Sequence, residues 1–282
     1  MVARIPNSRR NLDIAIERVF GATDDPVRVR KLMANTIVGQ LLPRGAIKGG
    51  SSLKLRYGDK ATRFTRDLDA ARADALEVFI QELDSAMADG WNGFTGKVVR
   101  LTPAKPKSVP GEYVMQPFDI KMAYNGASWL TVQLELGHDE IGDTDNPDYI
   151  IAPDIVEIFK KLGFPEPEPI ALMSIPHQIA QKLHAVSGAD SERAHDLIDL
   201  QLILMNEDVD YAKTREACQR LFDSRKLQEW PPVVMKGENW GSLYEAQLGD
   251  LGLLRTVDEA IEWANDLIAN LTHTEQGTAS DF

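Results

Sequence analysis

Two stretches of alternating apolar and polar residues limit the possible folds of this chain more than any other feature. Tyr113–Met122 and Trp129–Leu136 alternate with a period of two, as strands with one buried face do. Asn125-Gly126 lies between them, and this pair favours a tight hairpin turn because both positions tolerate positive φ. The sequence therefore predicts a β-hairpin within a sheet.

The residues before this hairpin predict further strands and flanking helices. Gly49-Gly50 predicts a turn, and the polar stretch after it predicts a loop that ends at Arg66. Helical periodicity covers 8–20, 26–42 and 74–88, and strand-like stretches cover 46–47, 67–70 and 98–101. We therefore expect residues 45–137 to form a sheet of four or five strands.

From about Ser174 onward the pattern becomes helical. The predicted helices cover 174–187, 191–205, 210–223, 242–250 and 257–271. The acidic segment 137–154 is expected to be a solvated loop. The whole predicts an α+β fold: a mixed sheet with flanking helices over 1–150, a helical domain over 151–272 and a disordered tail over 273–282. A cleft between the two domains is the expected ligand site.

Cysteine content and hydropathy indicate the compartment. Cys218 is the only cysteine, so the chain forms no internal disulfide, which fits a reducing cytoplasm. No run of about 18 apolar residues is present, and the first residues do not form an apolar leader. We expect a cytoplasmic protein without a membrane partner.

Charge is distributed very unevenly along the chain. The net charge is −12, yet residues 1–66 contain 14 Lys and Arg against 5 Asp and Glu. Such a basic segment on an acidic body suggests a surface for a polyanion such as RNA, although a solvated basic helix surface explains it equally well. The candidate RNA-binding residues are Arg9, Arg10, Arg28, Arg30 and Lys31.

Asp67 and Asp69 form the strongest candidate for a catalytic pair. On a strand their side chains point to the same face, with Cα atoms about 6.5 to 7 Å apart. Two converging carboxylates suit Mg²⁺, which takes oxygen ligands and completes its shell with water and phosphates. Taken alone, such a pair is more often a solvated surface.

The glycines before this pair supply a candidate phosphate cradle. Gly50, Ser51 and Ser52 offer backbone N–H groups and hydroxyls that can approach a phosphate closely, although a plain turn is the alternative. Glu135 is the preferred third metal ligand because it lies on the polar face of its predicted strand, and Asp119 is the reserve candidate. An ordinary solvent-facing Glu135 is the alternative.

The helical half contributes three further candidates. Lys182 projects toward the apolar side of its helix, so its ammonium needs either a carboxylate or a ligand phosphate. Asp196 and Asp199 share one face of the next helix, which is largely apolar. Pairing with Lys182 and Arg193 explains these carboxylates structurally, and a catalytic or ribose-binding role is the alternative.

Three separated motifs resemble the AbiEii/MenT family of nucleotidyltransferase toxins, namely GGSSLKLRYGDKATRFTRDLD, PHQIAQKLHAV and SERAHDLIDL. The resemblance covers residues from about 40 to 205 and implies a DNA polymerase β-type α/β half followed by a helical half. It assigns the phosphate cradle to Gly50 and Ser51 and the metal, Mg²⁺ or Mn²⁺, to Asp67 and Asp69. Lys182 would contact the NTP phosphates, and Asp196 would be the acidic residue of the last motif, with Asp199 nearby.

The same resemblance implies a function. Family members act in toxin–antitoxin and abortive-infection systems, which implies transfer of NMP from an NTP to a tRNA 3′ end, a block of translation, and a winged-helix antitoxin encoded alongside. His195 stands where the family pattern usually has Lys. Two alternatives are a nucleotidyltransferase that modifies a protein or small molecule, and a non-catalytic RNA-binding regulator on the same scaffold.

Overall fold

The structure is a computed structural model that describes residues 4–103 and 114–273. Its helices are α1 (Arg9–Phe20), α2 (Pro26–Gln40), α3 (Gly49–Tyr57), α4 (Leu76–Asp89), α5 (Pro153–Lys161), α6 (Ile175–Val186), α7 (His195–Asn206), α8 (Tyr211–Arg225), α9 (Trp240–Leu248) and α10 (Val257–His273). Its strands are β1 (Gly45–Lys48), β2 (Leu68–Arg72), β3 (Phe94–Arg100), β4 (Gln116–Tyr124), β5 (Ala127–His138), β6 (Asp148–Ile150) and β7 (Ile170–Leu172). The α+β class is thus confirmed.

The chain divides into two compact units. One, the sheet unit, comprises Met1–Ala61 and Thr65–Met173, and the other, the helical unit, comprises Thr62–Phe64 and Ser174–Phe282. The division follows Met173, whereas the sequence analysis placed it near residue 150, because β6, α5 and β7 belong to the sheet unit. Within the described residues, no helix combines the length and apolarity needed to cross a bilayer.

The predicted hairpin is formed by β4 and β5, which lie between β3 and β2 in the sheet. β4 and β5 pair in antiparallel register, and Asn125 and Gly126 both have positive φ, at 47° and 77°. The predicted first residue of this hairpin, Tyr113, lies outside the described residues. The sheet has seven strands in the order β3-β4-β5-β2-β1-β7-β6, so β2 and β1 lie near its middle.

The predicted turn and loop between β1 and β2 were wrong in part, since residues 49–57 form helix α3 and the loop begins only after this helix. The sequence of α3 looks polar because it contains Lys54 and Arg56, yet both side chains are buried and paired with carboxylates. Lys54 Nζ lies 2.5 Å from Asp59 Oδ1, and Arg56 Nη2 lies 2.6 Å from Asp148 Oδ2. These ion pairs allow the two cations to lie inside the fold. Hydrophobic periodicity does not reveal such pairs.

The predicted solvated loop over 137–154 was also wrong in part. Asp148, the partner of Arg56, begins strand β6, and Asp143 and Thr144 are buried. β7 was not predicted, although it pairs with β1 in parallel and makes the sheet wider on that side. Strands of three residues carry too little alternation to be recognised in a sequence.

The two faces of the sheet differ in character. One face carries Ile47, Leu68, Ala70, Leu134 and Leu136 into the main apolar core, where α1, α2, α4 and α5 contribute their buried side chains. The other face carries only a small apolar cluster of Ala46, Ala71 and Met173. Because side chains alternate along a strand, Asp69 and Glu135 lie on this second face.

Candidate active site

Helix α3 begins directly after β1 and faces the predicted catalytic strand. Gly49 has φ of +64°, and a Cβ built on it would lie 2.5 Å from Asp69 Oδ2. Only glycine combines this conformation with so close an approach. The Asp69 carboxylate therefore lies directly beside the first residue of α3.

The first turn of α3 contains the predicted phosphate cradle. Gly50, Ser51 and Ser52 are all buried there, and the capping residue Lys48 forms no side-chain hydrogen bond to the helix end. The N-terminal N–H groups of a helix favour an anion, both as donors and through the helix dipole. Ser51 Oγ donates to the backbone carbonyl of Asp67 at 2.6 Å, which ties this turn to the start of β2.

The predicted metal ligands lie on neighbouring strands. Asp69 is in register with Glu135 of β5 on one side and with Lys48 of β1 on the other. Asp67 immediately precedes the first residue of β2, two positions before Asp69. Asp119 lies on β4, where it is in register with Gln133 of β5, so it is one strand farther from Asp69 than Glu135 is. Glu135 is therefore the better placed third carboxylate.

These carboxylates fit a hard cation whose coordination shell is completed by the phosphates of a substrate. Among residues 4–103 and 114–273, no group of three His, Cys, Asp or Glu side chains is already gathered as a metal site. Mg²⁺ is commonly held by one or two carboxylates, with substrate phosphates and water completing its octahedron. Asp67, Asp69 and Glu135 are half-buried oxygen donors and meet that requirement, and their role as ligands stays a prediction.

The basic N-terminal residues have acidic neighbours. Arg9 and Arg30 both pair with Asp13, at 2.9 and 3.0 Å, and Arg28 pairs with Asp59 at 2.9 Å. Arg10 is exposed. Arg9 and Arg30 share one carboxylate, and Asp59 also pairs with Lys54, so these ion pairs offset only part of the positive charge.

Lys31 lies close to the candidate site. Its Nζ donates to the backbone carbonyl of Arg66, the residue before Asp67. Burial lowers the pKa of Lys31, and the nearby Asp67 carboxylate opposes that shift. The structure therefore places this predicted RNA-binding lysine beside the first aspartate of the pair.

The helical unit contains a buried cluster of charges. Lys182 Nζ lies 2.8 Å from Asp196 Oδ1 and 2.6 Å from Asp199 Oδ2, and all three side chains are nearly inaccessible to solvent. Arg193 binds the other oxygen of Asp196 at 2.8 Å. The pairing that the sequence analysis offered as the structural explanation is therefore present.

Arg63 completes this cluster and was missed by the sequence analysis. Its guanidinium binds Asp199 with two hydrogen bonds, Nε to Oδ1 at 2.7 Å and Nη2 to Oδ2 at 2.8 Å. The two residues are 136 positions apart, so local periodicity cannot link them. A bidentate arginine is the expected partner for a buried carboxylate.

The cluster keeps its carboxylates charged. Burial alone would raise the pKa of Asp199, but Lys182 and Arg63 hold that pKa below its usual value. Burial would likewise raise the pKa of Asp196, and Lys182 and Arg193 hold it far lower. Lysine has three N–H donors, and the two aspartates accept from two of them.

His195 stands at the start of α7, next to the cluster. Burial lowers its pKa to about 4, and Arg63 and Arg193 add to the effect against the opposing Asp196. The imidazole is therefore neutral at pH 7. His195 therefore adds no positive charge to the cluster at neutral pH.

The comparisons with known proteins agree with these motifs. A family model described as nucleotidyl transferase AbiEii toxin, type IV toxin–antitoxin system, matches residues 31–267. No protein with a curated function matches the sequence.

The solved structures that match this chain include three bacterial proteins. The MenT4 nucleotidyltransferase toxin of Mycobacterium tuberculosis is 15% identical, with 94% of this chain and 99% of that chain covered and a TM-score of 0.48. JHP933 from Helicobacter pylori is 18% identical, with 87% and 90% covered and a TM-score of 0.44. A putative nucleotidyltransferase from H. pylori is 17% identical, with 87% and 93% covered and a TM-score of 0.43.

Proposed function

Since the chain belongs to the AbiEii family of nucleotidyltransferase toxins, we propose that it transfers NMP from a Mg²⁺-bound NTP to a tRNA 3′ end and so blocks translation. The observation that carries this proposal is the position of Asp69, which is in register with Glu135 and lies beside the first turn of α3. Carboxylates for a hard cation and helix N–H groups for phosphates are the two components that an NTP requires.

Each residue of the sheet-unit site has a separate task in this reaction. The backbone N–H groups of Gly50 and Ser51 bind phosphate oxygens, and Asp67, Asp69 and Glu135 would hold the metal. When bound, Mg²⁺ supplies positive charge that offsets the charge developing on the phosphates. Gly49 keeps the cradle and Asp69 adjacent, so the NTP is positioned without rearrangement of the backbone.

The chemical step is a single in-line displacement. The acceptor hydroxyl oxygen forms a bond to the α-phosphorus, the bond from that phosphorus to the bridging oxygen breaks, and pyrophosphate leaves. The hydroxyl proton passes to a carboxylate on this face of the sheet. Positioning and charge stabilisation supply the acceleration, and no covalent intermediate with the protein is needed.

The RNA acceptor is supported by the basic N-terminal residues. Lys31 lies next to Arg66 and Asp67, and Arg10 is exposed on α1. Cations beside a transfer site favour a polyanionic acceptor over a neutral one. An antitoxin encoded alongside the toxin, with a winged-helix domain, is the expected protein partner.

The proposal is tested by label transfer. The purified protein is incubated with total tRNA, Mg²⁺ and each α-labelled NTP in turn, beside Asp69→Ala and the control Asp89→Ala, whose side chain is exposed at the end of α4. We expect label on tRNA with wild type and Asp89→Ala only, and removal of that label by ribonuclease. Label that resists ribonuclease would replace the RNA acceptor by a protein or small molecule, and no NTP consumption by folded protein would contradict the proposal.

A further inference from the structure

A cavity of about 310 Å³ lies in the sheet unit beside the candidate metal ligands. Its wall includes Lys48, Arg72, Met115, Gln116, Gly137 and His138. Lys48 is the register partner of Asp69, and Gly137 lies two residues beyond Glu135 on the same face of β5. The cavity therefore adjoins the proposed reaction centre without being part of the α3 cradle.

The position of Lys48 in this cavity is unusual for a lysine. Its side chain is only 9% exposed, and it forms neither a hydrogen bond nor a salt bridge within residues 4–103 and 114–273. Burying an ammonium without a partner is costly. The other buried lysines, Lys54 and Lys182, are both paired with carboxylates, so Lys48 departs from the pattern that the rest of the fold follows.

Gly137 makes room for this ammonium. A Cβ built on Gly137 would lie 3.1 Å from Lys48 Nζ and 3.1 Å from Met115 Sδ. A larger residue would press on both side chains that form this wall. The absence of a side chain at position 137 thus leaves the Lys48 ammonium open to the cavity.

Arg72 is a second cation on the cavity wall, and one of its N–H donors has no partner in the part of the chain that the structure describes. Its Nη1 donates to the carbonyl of Asp74 at 2.5 Å, while its Nε is buried and has no hydrogen-bond partner. A guanidinium held by one contact and an ammonium on the same cavity wall match a tetrahedral anion with several acceptor oxygens.

The acidic residues around the cavity do not replace such a ligand. Glu140 lies on the wall, and Asp143 is near enough to Lys48 to interact electrostatically without forming a salt bridge. Burial raises the pKa of Asp143 to about 6, with Asp139 and Glu140 adding to the rise against Lys48. Among the described residues, no carboxylate forms a salt bridge with the Lys48 ammonium.

We propose that this cavity is a phosphate-binding subsite in which Lys48 and Arg72 grip one phosphate group of a substrate. The identity of that substrate rests on the proposed function. The phosphate belongs either to the NTP or to the phosphodiester backbone of the acceptor strand, and both would bring the group beside Asp69. The subsite orients one reactant and adds no chemical step of its own.

The subsite is tested by binding rather than by turnover. Met115 forms part of the wall, so the ¹³C-methyl resonance of this residue, assigned with Met115→Leu, reports occupancy when inorganic phosphate is titrated into the metal-free protein. We expect a saturable shift in wild type and binding about tenfold weaker or more in Lys48→Gln, as loss of a charged hydrogen bond implies. Lys121→Gln, an exposed lysine of β4, should bind as wild type does.

Gly137→Ala provides a second test that leaves both cations in place. The added methyl group enters the space around Lys48 Nζ and should weaken phosphate binding as well. No saturable shift of Met115 in wild type, or equal binding by wild type and Lys48→Gln, would overturn the inference.

Transfer kinetics then identify the source of the phosphate. A raised KM for the NTP in Lys48→Gln assigns the subsite to the nucleotide, and a raised KM for the RNA assigns it to the acceptor. The two proposals fail separately. Phosphate binding without any nucleotide transfer would contradict the proposed function alone, and transfer without phosphate binding at Met115 would contradict the subsite alone.

Discussion

The two units both contain a pair of closely spaced aspartates, and the two pairs have opposite surroundings. Asp196 and Asp199 in the helical unit are almost fully buried, and each is bound by two cations. Asp67 and Asp69 in the sheet unit are half-buried, and Asp69 lies between another carboxylate and the start of a helix. The first pair is neutralised by buried ion pairs, whereas the second keeps solvent access, with Lys31 near Asp67 and Lys48 in register with Asp69.

This difference shows why spacing alone does not assign a role to an acidic residue. A buried carboxylate must be paired, and its removal leaves its cations uncompensated in a low-dielectric interior. Removal of a half-buried carboxylate at the edge of a site lowers the free energy of unfolding only slightly. The comparison therefore predicts that substitutions in the helical unit reduce stability, whereas those in the sheet-unit site reduce activity.

The largest effect on stability is expected from Asp199→Ala. This change leaves Arg63 without its bidentate partner and removes one of the two carboxylates that bind Lys182, so we expect the helical unit to lose about 3–5 kcal/mol. Hydrogen exchange of α6 and α7 would measure the loss. Asp258→Ala breaks an exposed pair with Lys236 and should cost about 1 kcal/mol or less. Equal effects of the two substitutions would contradict the distinction between the two kinds of aspartate.

The next effect concerns pH and sharpens the account of the helical cluster. The folded pKa of His195 is about 4, below its ordinary value of 6.5, so protonation favours the unfolded chain. The free energy of unfolding should therefore fall as pH is lowered from about 6.5 to 4, and His195→Gln should remove about 1–3 kcal/mol of that fall. Denaturation curves of both proteins at pH 7 and 4.5 would test this. A fall of the same size in both would exclude His195 as its cause.

A smaller effect on stability, coupled to activity, is expected from Gly49→Ala. The new Cβ would meet the Asp69 carboxylate and force positive φ on alanine, at a cost of about 1–2 kcal/mol and a large loss of transfer rate. Gly126→Ala also has positive φ but has open space around it. We expect this control to lose stability without losing activity, and a parallel loss of activity in both would show that strain alone is responsible.

The smallest effect is expected for the exposed cation Arg10. If Arg10 contacts an RNA phosphate, Arg10→Gln should lower RNA affinity a few-fold and reduce the slope of log affinity against log salt by about 1. Lys213→Gln, an exposed cation of the helical unit, is the matched control. Binding to labelled tRNA at several salt concentrations would separate them. An unchanged slope for Arg10→Gln would exclude this residue from the RNA surface.

The sequence predicted the parts of the fold that have regular periodicity. The hairpin of β4 and β5 and the helices after Ser174 follow from alternation, the Asn125-Gly126 turn and helical spacing. The partners of buried charges could not be predicted, because Arg56 with Asp148 and Arg63 with Asp199 meet only in the folded chain. The pairing of Arg56 with Asp148 also explains why α3 was mistaken for a loop.

The candidate carboxylates could be proposed from the sequence for the same reason. Asp67 and Asp69 are close in sequence, and the polar side of β5 indicated Glu135, which the structure places in register with Asp69. Lys48 and Arg72 gave no signal of their own, because they come together only in the wall of a cavity that the folded chain forms. Local spacing therefore proposed the carboxylates, whose role stays a prediction, and only the fold showed what surrounds them.

The most direct test of the account is to measure stability and nucleotide transfer together for Asp69→Asn. Asparagine preserves the shape of the side chain but removes its charge, so we expect the free energy of unfolding to change by about 1 kcal/mol or less. The transfer rate should fall by about 10²–10³-fold, as loss of a charge-stabilising group implies. A folded Asp69→Asn protein with transfer near the wild-type rate would contradict the account, and so would a loss of activity explained entirely by unfolding.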